Sequence, residues 1–165
     1  MDLEAAMRAD IRVIRPGEPI GEHRSIFLAG PTPRSPEVPS WRPEAIRLLA
    51  EMWLGPGPLV VFNPEPLGPP EDLDGQYGWE MQARAAATVV AYWIPRDPKT
   101  LPGFTTNTEF GYDVASRRTV VLGCPPNCPD ARRNRYLIYL ARDHGVSVRE
   151  TLGDTMTTAQ WLAGP

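Results

Sequence analysis

Short, nearly continuous apolar runs recur at 25–30, 59–62, 88–94 and 119–122, and all are rich in β-branched and aromatic residues. Runs of that length and composition are the mark of strands buried on both faces. Between them the apolar positions change to helical spacing. In 43–54, Ile46, Leu49, Ala50 and Trp53 share a face, and in 132–144, Tyr136, Tyr139 and Leu140 do; 77–87 and 108–116 complete the set. A fifth strand at 145–148 and a short helix at 157–162 close the pattern. The first 24 residues are less regular, with a helical turn at 3–8 and either an extra edge strand or an arm onto a neighbour at 11–14. The expected division is therefore 1–24 as an N-terminal arm or edge element and 25–165 as a single α/β domain.

Strict β-α alternation requires right-handed crossovers, which place helices on both faces of a parallel sheet. The expected architecture is α/β, a flavodoxin-like three-layer sandwich around a central, mostly parallel five-stranded sheet. Twenty prolines and fourteen glycines in 165 residues would suggest disorder if evenly spread. They cluster instead at 31–43, 55–58, 63–70, 95–103 and 125–129, between the periodic segments, and so mark the loops.

A formal net charge of -3 argues against a surface built to grip a nucleic acid polymer. No apolar run reaches the length of a membrane span, and Met1-Asp2-Leu3-Glu4 lacks the basic start of a secretory signal, so a cytoplasmic protein without membrane contact is expected. Cys124 and Cys128 have no second pair to complete a zinc site and read as free thiols. His23 and His144 lack a supporting cluster, and no metal or cofactor is expected.

Ligands of open α/β sheets bind at the carboxyl ends of strands, which directs attention to the loops after Gly30, Phe62, Ile94 and Gly123. The loop at Gly30-Pro31 permits close backbone approach but carries neither the dinucleotide nor the P-loop fingerprint. Thr106, Asn107 or Thr108 is a natural helix N-cap, which would put Glu109 in the first turn, ionised and facing the cleft, or simply as a first-turn capping acid.

Ile26-Phe-Leu-Ala-Gly-Pro31, Ser40-Trp-Arg42, Asn63-Pro64, Trp79-Glu80, the apolar run 89–95, Thr106-Asn-Thr-Glu-Phe-Gly111 and Arg118-Thr-Val-Val-Leu-Gly123 follow one another at successive strand ends. Together they resemble the nucleoside 2-deoxyribosyltransferase-like family over about residues 25 to 140. The resemblance implies a flavodoxin-like fold and a glutamate nucleophile that attacks the anomeric carbon of a nucleoside, a position Glu109 matches. Such a carboxylate can stabilise an oxocarbenium-like state and trap it covalently. It also implies an aspartate at the start of the third of these strands, where this chain has Thr88, a hydroxyl able to hold substrate but a poor proton donor. Glu80 is the first replacement as acid/base, ahead of Asp97 and Asp74; its alternative is a surface pair with Arg84.

Candidate substrate ligands are Gly30, Pro31, Trp41, Arg42, Asn63, Trp79, Thr88 and Asn107. Trp41, Trp79, Tyr77 and Trp93 offer stacking faces, although Trp93 also fits the core and Trp41 also fits lid packing. Asn107 serves equally as a cap. Three arginines at 132–135 stand where a helix start favours acids, facing either an anion or solvent. The expected activity is cleavage of a nucleoside or nucleotide N-glycosidic bond with transfer of the (deoxy)ribosyl group to another base. The alternatives are a hydrolase releasing the base to water, or a non-catalytic nucleotide-binding or sensing module. The expected partner is the small-molecule nucleoside or nucleotide itself, and the resemblance implies a homo-oligomer, with the N-terminal arm or Trp161-Leu-Ala-Gly-Pro165 reaching a neighbour.

Overall fold

The computed structural model of the chain describes residues 10–68 and 72–164, so the helical turn expected at 3–8 lies outside the described residues. In chain order the elements are β1 (Ile11–Ile14), β2 (Ser25–Ala29), α1 (Arg42–Met52), β3 (Leu59–Phe62), α2 (Leu73–Ala86), β4 (Val89–Trp93), α3 (Phe104–Ala115) and β5 (Val120–Gly123). A 3-10 turn at Ala131–Asn134 then leads into α4 (Arg135–Asp143), followed by β6 (Ser147–Arg149) and α5 (Leu152–Ala163).

All strand pairs are parallel, in the order β1-β3-β2-β4-β5-β6. Leaving out β1, that is the flavodoxin-like order. The sheet therefore has six strands rather than the five expected: residues 11–14 join as an edge strand, with Ile11 opposite Leu59 and Ile14 opposite Phe62. Only Ile14 of β1 is buried, and Arg12 is exposed. A short, half-polar strand is what a sheet edge tolerates, and its weak apolar signal is why the pattern alone left it undecided.

Alternation along the central strands divides the core in two. Phe27, Val90, Tyr92 and Leu122 pack under α2, α3 and α4, against Trp79, Ala83, Phe110, Val114 and Leu137. Ile26, Leu28, Ala91, Trp93 and Val121 point the other way, onto Ala45, Leu49, Trp53, Met156 and Ala159 of the α1–α5 side. Burying both faces accounts for the continuous apolar runs, each fully buried aliphatic side chain contributing about 1.5–3 kcal/mol.

Three helices begin earlier than their apolar spacing suggested, for local reasons. Asp72 caps α2 by accepting from the Gly75 amide at 2.9 Å, and Thr151 caps α5 by accepting from Asp154 at 3.0 Å. At α3 the N-cap is Gly103, in the left-handed region at φ 68°, so the helix starts at Phe104 instead of after a Thr or Asn cap.

Gly123, at the end of β5, is packed so closely that an added Cβ would collide with Thr155 Oγ1 and the Trp93 ring. Thr155 is itself fully buried and cannot move aside. Gly123→Ala is expected to destabilise the fold by about 1–3 kcal/mol, visible as a lower denaturation midpoint with an unchanged slope.

Candidate active site

The crevice lies where the topology requires one. From β2 the chain crosses to β3 on one side, then returns past β2 to β4 on the other, so the loops after the adjacent strands β2 and β4 diverge. Gly30 follows β2 at φ 143°, where a Cβ would run into the Trp93 carbonyl oxygen, so this turn needs glycine. Arg42, 1% exposed, fixes the same turn from behind. Its Nε donates to the Leu28 carbonyl at 3.0 Å, Nη2 to the Gly30 carbonyl at 2.8 Å, and Nη1 to Thr32 Oγ1 and Glu65 Oε1. Across the crevice Arg96 does the equivalent for the loop after β4. It donates to Asn134 Oδ1, to the Pro102 carbonyl and to Asn107 Oδ1, each at 2.6 Å.

Between these turns is a cleft of about 280 Å³, whose lining includes Gly30, Pro31, Arg42, Glu80, Phe104 and Glu109. Glu109 stands in the second turn of α3, one turn later than expected, with 17% of its side chain exposed. The expectation that it stays ionised is corrected: burial pushes its pKa up to about 7, with Glu80 and Asp113 adding to the rise and Arg84 and Arg42 opposing it. Arg84 Nη1 lies 3.3 Å from Glu109 Oε1. Its pairing with Glu109, not Glu80, replaces the surface pair considered above; Glu80 instead accepts from Gln76 Nε2 at 2.9 Å.

Behind Glu109 is a buried charge network. Arg84 Nε donates to Asp113 Oδ2 at 3.1 Å, the Tyr92 hydroxyl donates to the same oxygen at 2.6 Å, and Arg118 pairs with Oδ1. Burial works against the charge of Arg84, but Asp113 and Glu109 outweigh it and hold its pKa above the ordinary value. Burial, then Asp113, keeps the Tyr92 phenol protonated well beyond its usual range.

Of the residues singled out from the sequence, Glu109, Glu80, Gly30, Pro31 and Arg42 come together at the cleft. The others do not line it. Trp41 is buried, donates from Nε1 to the Pro31 carbonyl at 3.0 Å and stacks beneath the Arg42 guanidinium at 4.7 Å. Trp79 is buried against Phe27 and Phe62, its Nε1 on the Glu18 carbonyl at 3.1 Å, and Trp93 is core. Tyr77 is exposed away from the cleft. Asn63 is buried and accepts from the Glu65 amide, while Asn107 is held by Arg96.

Thr88 requires a correction. It precedes β4, at the amino end of the parallel sheet, where it exchanges hydrogen bonds with Ser25 at 3.0 and 3.2 Å. A group there is at the far end of the strands from the cleft and cannot hold substrate. Asp97 accepts the Lys99 and Thr100 amides in a turn, and Asp74 is exposed in the first turn of α2.

Sequence reasoning missed Phe104, which is 72% exposed and lines the cleft mouth, together with Thr32, Arg34 and Thr105. It also missed Asp113, although the four-residue interval from Glu109 was a legible sign of a shared helix face. The arginines at 132 and 135 border a separate cavity of about 300 Å³ with Arg142, and Arg133 pairs with Asp130 at 2.7 Å. Among the described residues, both cysteines are free, with burial pushing the Cys124 thiol up to about 12. No helix among them is long and apolar enough to cross a membrane, and no group of three or more His, Cys, Asp or Glu is placed to hold a metal ion.

The family model described as nucleoside 2-deoxyribosyltransferase like matches residues 23–128, from the approach to β2 to the loop after β5. The chain belongs to this family. The matched stretch carries both cleft carboxylates, the two arginine-held turns and the whole Glu109–Arg84–Asp113 network, and stops short of α4, β6 and α5. No curated protein matches the chain. Membership of this family points to a nucleoside deoxyribosyltransferase-like activity and to a small-molecule nucleoside as the substrate class.

Proposed function

We propose that this protein breaks the N-glycosidic bond of a nucleoside or nucleotide with Glu109 as nucleophile and passes the (deoxy)ribosyl group to a second base. The observation that carries the reading is a mostly buried carboxylate at the sheet's switch-point cleft, with an arginine 3.3 Å from it and a second carboxylate, Glu80, lining the same space. In the first half-reaction a Glu109 oxygen bonds to C1′ as the C1′–N bond breaks, and the bond's electron pair leaves with the base. Glu80, carried by α2, hydrogen-bonds or protonates that base. In the second, a nitrogen of the incoming base attacks C1′ as its N–H proton passes to Glu80, the ester C–O bond breaks and its electron pair returns to the Glu109 carboxylate, so two inversions retain configuration. The exposed ring of Phe104 offers the base a stacking face at the mouth.

Glu109 must be charged to attack, and its pKa of about 7 sets the pH dependence. kcat/KM is expected to rise about tenfold per pH unit below that value and to level off above it. The test is incubation with a panel of ribo- and deoxyribonucleosides and their 5′-monophosphates, each with a second free base, followed by chromatography. Exchanged nucleosides are the expected product. Free base and free sugar alone would make the protein a hydrolase, and binding without product would make it a nucleotide-binding module.

A further inference from the structure

Glu109 and Asp113 lie four residues apart on α3, so helix geometry turns both carboxylates toward α2. Arg84 of α2 reaches between them. Its contacts are unequal: a hydrogen bond of 3.1 Å from Nε to Asp113 Oδ2, but only a 3.3 Å approach of Nη1 to one oxygen of Glu109. Its Nη2 is turned to Met81 Sδ. Among the described residues Glu109 accepts no hydrogen bond, from Arg84 or any other donor, so its contact with Arg84 is an ion-pair approach only. An arginine beside one carboxylate commonly closes a two-pronged pair, the strongest form of this contact. Here Asp113 draws the guanidinium back, and Asp113 is itself anchored by Tyr92 and Arg118. With Arg84 only 3% exposed and Asp113 fully buried, water offers neither an alternative partner.

We propose that Arg84 is a positioning residue for Glu109, and that Asp113, holding the guanidinium from the far side, keeps it from closing a hydrogen-bonded pair on Glu109 so that the carboxylate is free to meet the sugar. This rests on Glu109 being the nucleophile. Its value lies in the opposite demands of the two half-reactions. As the Glu109–C1′ bond forms the carboxylate loses its charge, which a closed ion pair would resist. As the acceptor attacks C1′ and the electron pair returns to Glu109, a nearby cation stabilises the charge that develops. A loose contact without a hydrogen bond serves the second step without holding back the first. The charged and titratable groups facing Glu109 are Glu80 and Arg84 of α2, Arg42 of α1, Asp113 of its own helix and Tyr92 of β4. Asp113 raises the Glu109 pKa directly as well as by holding Arg84, and Tyr92 acts on it through its hydrogen bond to Asp113.

The test measures kcat and KM against pH for wild type, Asp113→Asn, Arg84→Lys and Tyr92→Phe. It also measures the steady-state glycosyl-enzyme by mass and the Glu109 carboxyl titration by difference infrared spectroscopy against Glu109→Gln. Asp113→Asn frees Arg84 to close on Glu109, so the acid limb is expected to move to lower pH and kcat at pH 8 to fall about tenfold with KM little changed. Tyr92→Phe removes a competing donor from Asp113 and is expected to move the limb less, in the opposite direction. Arg84→Lys, too short to span both carboxylates, is expected to slow return of the carboxylate and raise the glycosyl-enzyme fraction. Lower melting temperatures with an unmoved acid limb would overturn the proposal and leave Arg84 structural. If Asp113→Asn does not fold, Tyr92→Phe decides by the same criterion. The carboxyl titration needs no substrate. A titration that responds in a protein without turnover would overturn the nucleophile reading, and this proposal with it; turnover with an unresponsive titration would overturn the positioning role alone.

Discussion

Glu109→Gln is expected to abolish turnover while making the protein more stable at neutral and alkaline pH. The loss of activity should be at least about a thousandfold, because the amide can neither attack C1′ nor return as a leaving carboxylate. The gain in stability follows from the sign of the shift. In the unfolded chain the carboxyl loses its proton near the ordinary 4.5, but in the fold it holds it to about 7. Between those values unfolding releases a proton, so stability falls as pH rises; above 7 the full penalty remains. Converted at the usual rate it is about 3 kcal/mol at most, and loss of the Arg84 contact reduces what glutamine recovers. A rise of a few degrees in melting temperature at pH 8, absent at pH 4, is the expected outcome of a thermal melt at the two pH values. Equal melting curves at both would mean that burial of Glu109 costs the fold nothing.

Arg42→Met is expected to be the most damaging substitution near the cleft for stability, at about 3–5 kcal/mol. Four hydrogen bonds leave its guanidinium: to the carbonyls of Leu28 and Gly30, to Thr32 and to Glu65. Removing it takes a donor from the buried Leu28 carbonyl and the half-buried Gly30 carbonyl, and leaves the Glu65 carboxylate with Ser40 Oγ but without its cation. Burial lowers the arginine's pKa, with Glu65 working the other way, yet the group stays charged. Arg42→Lys should recover little, since an ammonium cannot reproduce the planar fork that reaches carbonyls on either side of Ala29. The turn at Gly30 also forms one wall of the cleft, so the folded fraction of either variant should bind substrate less tightly. Chemical denaturation and KM measured on the same samples test both effects.

The contrast between Arg42 and Glu109 explains how far the sequence could be read. Strands were legible because both faces are buried and nothing polar interrupts them; β1, with one buried residue in four, lacked that signal. Helix starts were misplaced where a cap preceded the apolar spacing, at Asp72 and Gly103. Charged and aromatic residues in loops were read as ligands because sequence does not reveal which carbonyls they meet. Trp41 braces the Gly30 turn and Arg42 does so while also lining the cleft, and Trp79 was already marked by Ala83, four residues on, as part of a buried stripe. Thr88 was excludable by topology alone: in a parallel sheet the start of a strand is the end opposite the binding crevice. The Glu109–Arg84–Asp113 network was the least legible part. Its members come from α2, α3 and β4, and only the fold brings Arg84 between two carboxylates.

The central claim is a covalent bond between Glu109 and a sugar, and it is tested most directly by mass. The protein is mixed with one nucleoside and no acceptor base, quenched in acid within a turnover, and examined intact and after digestion. The expected result is a burst of free base equal to the enzyme present, with one pentosyl adduct on the peptide bearing Glu109 and none in Glu109→Gln. Continuous base release without any adduct, persisting in Glu109→Gln, would contradict the account.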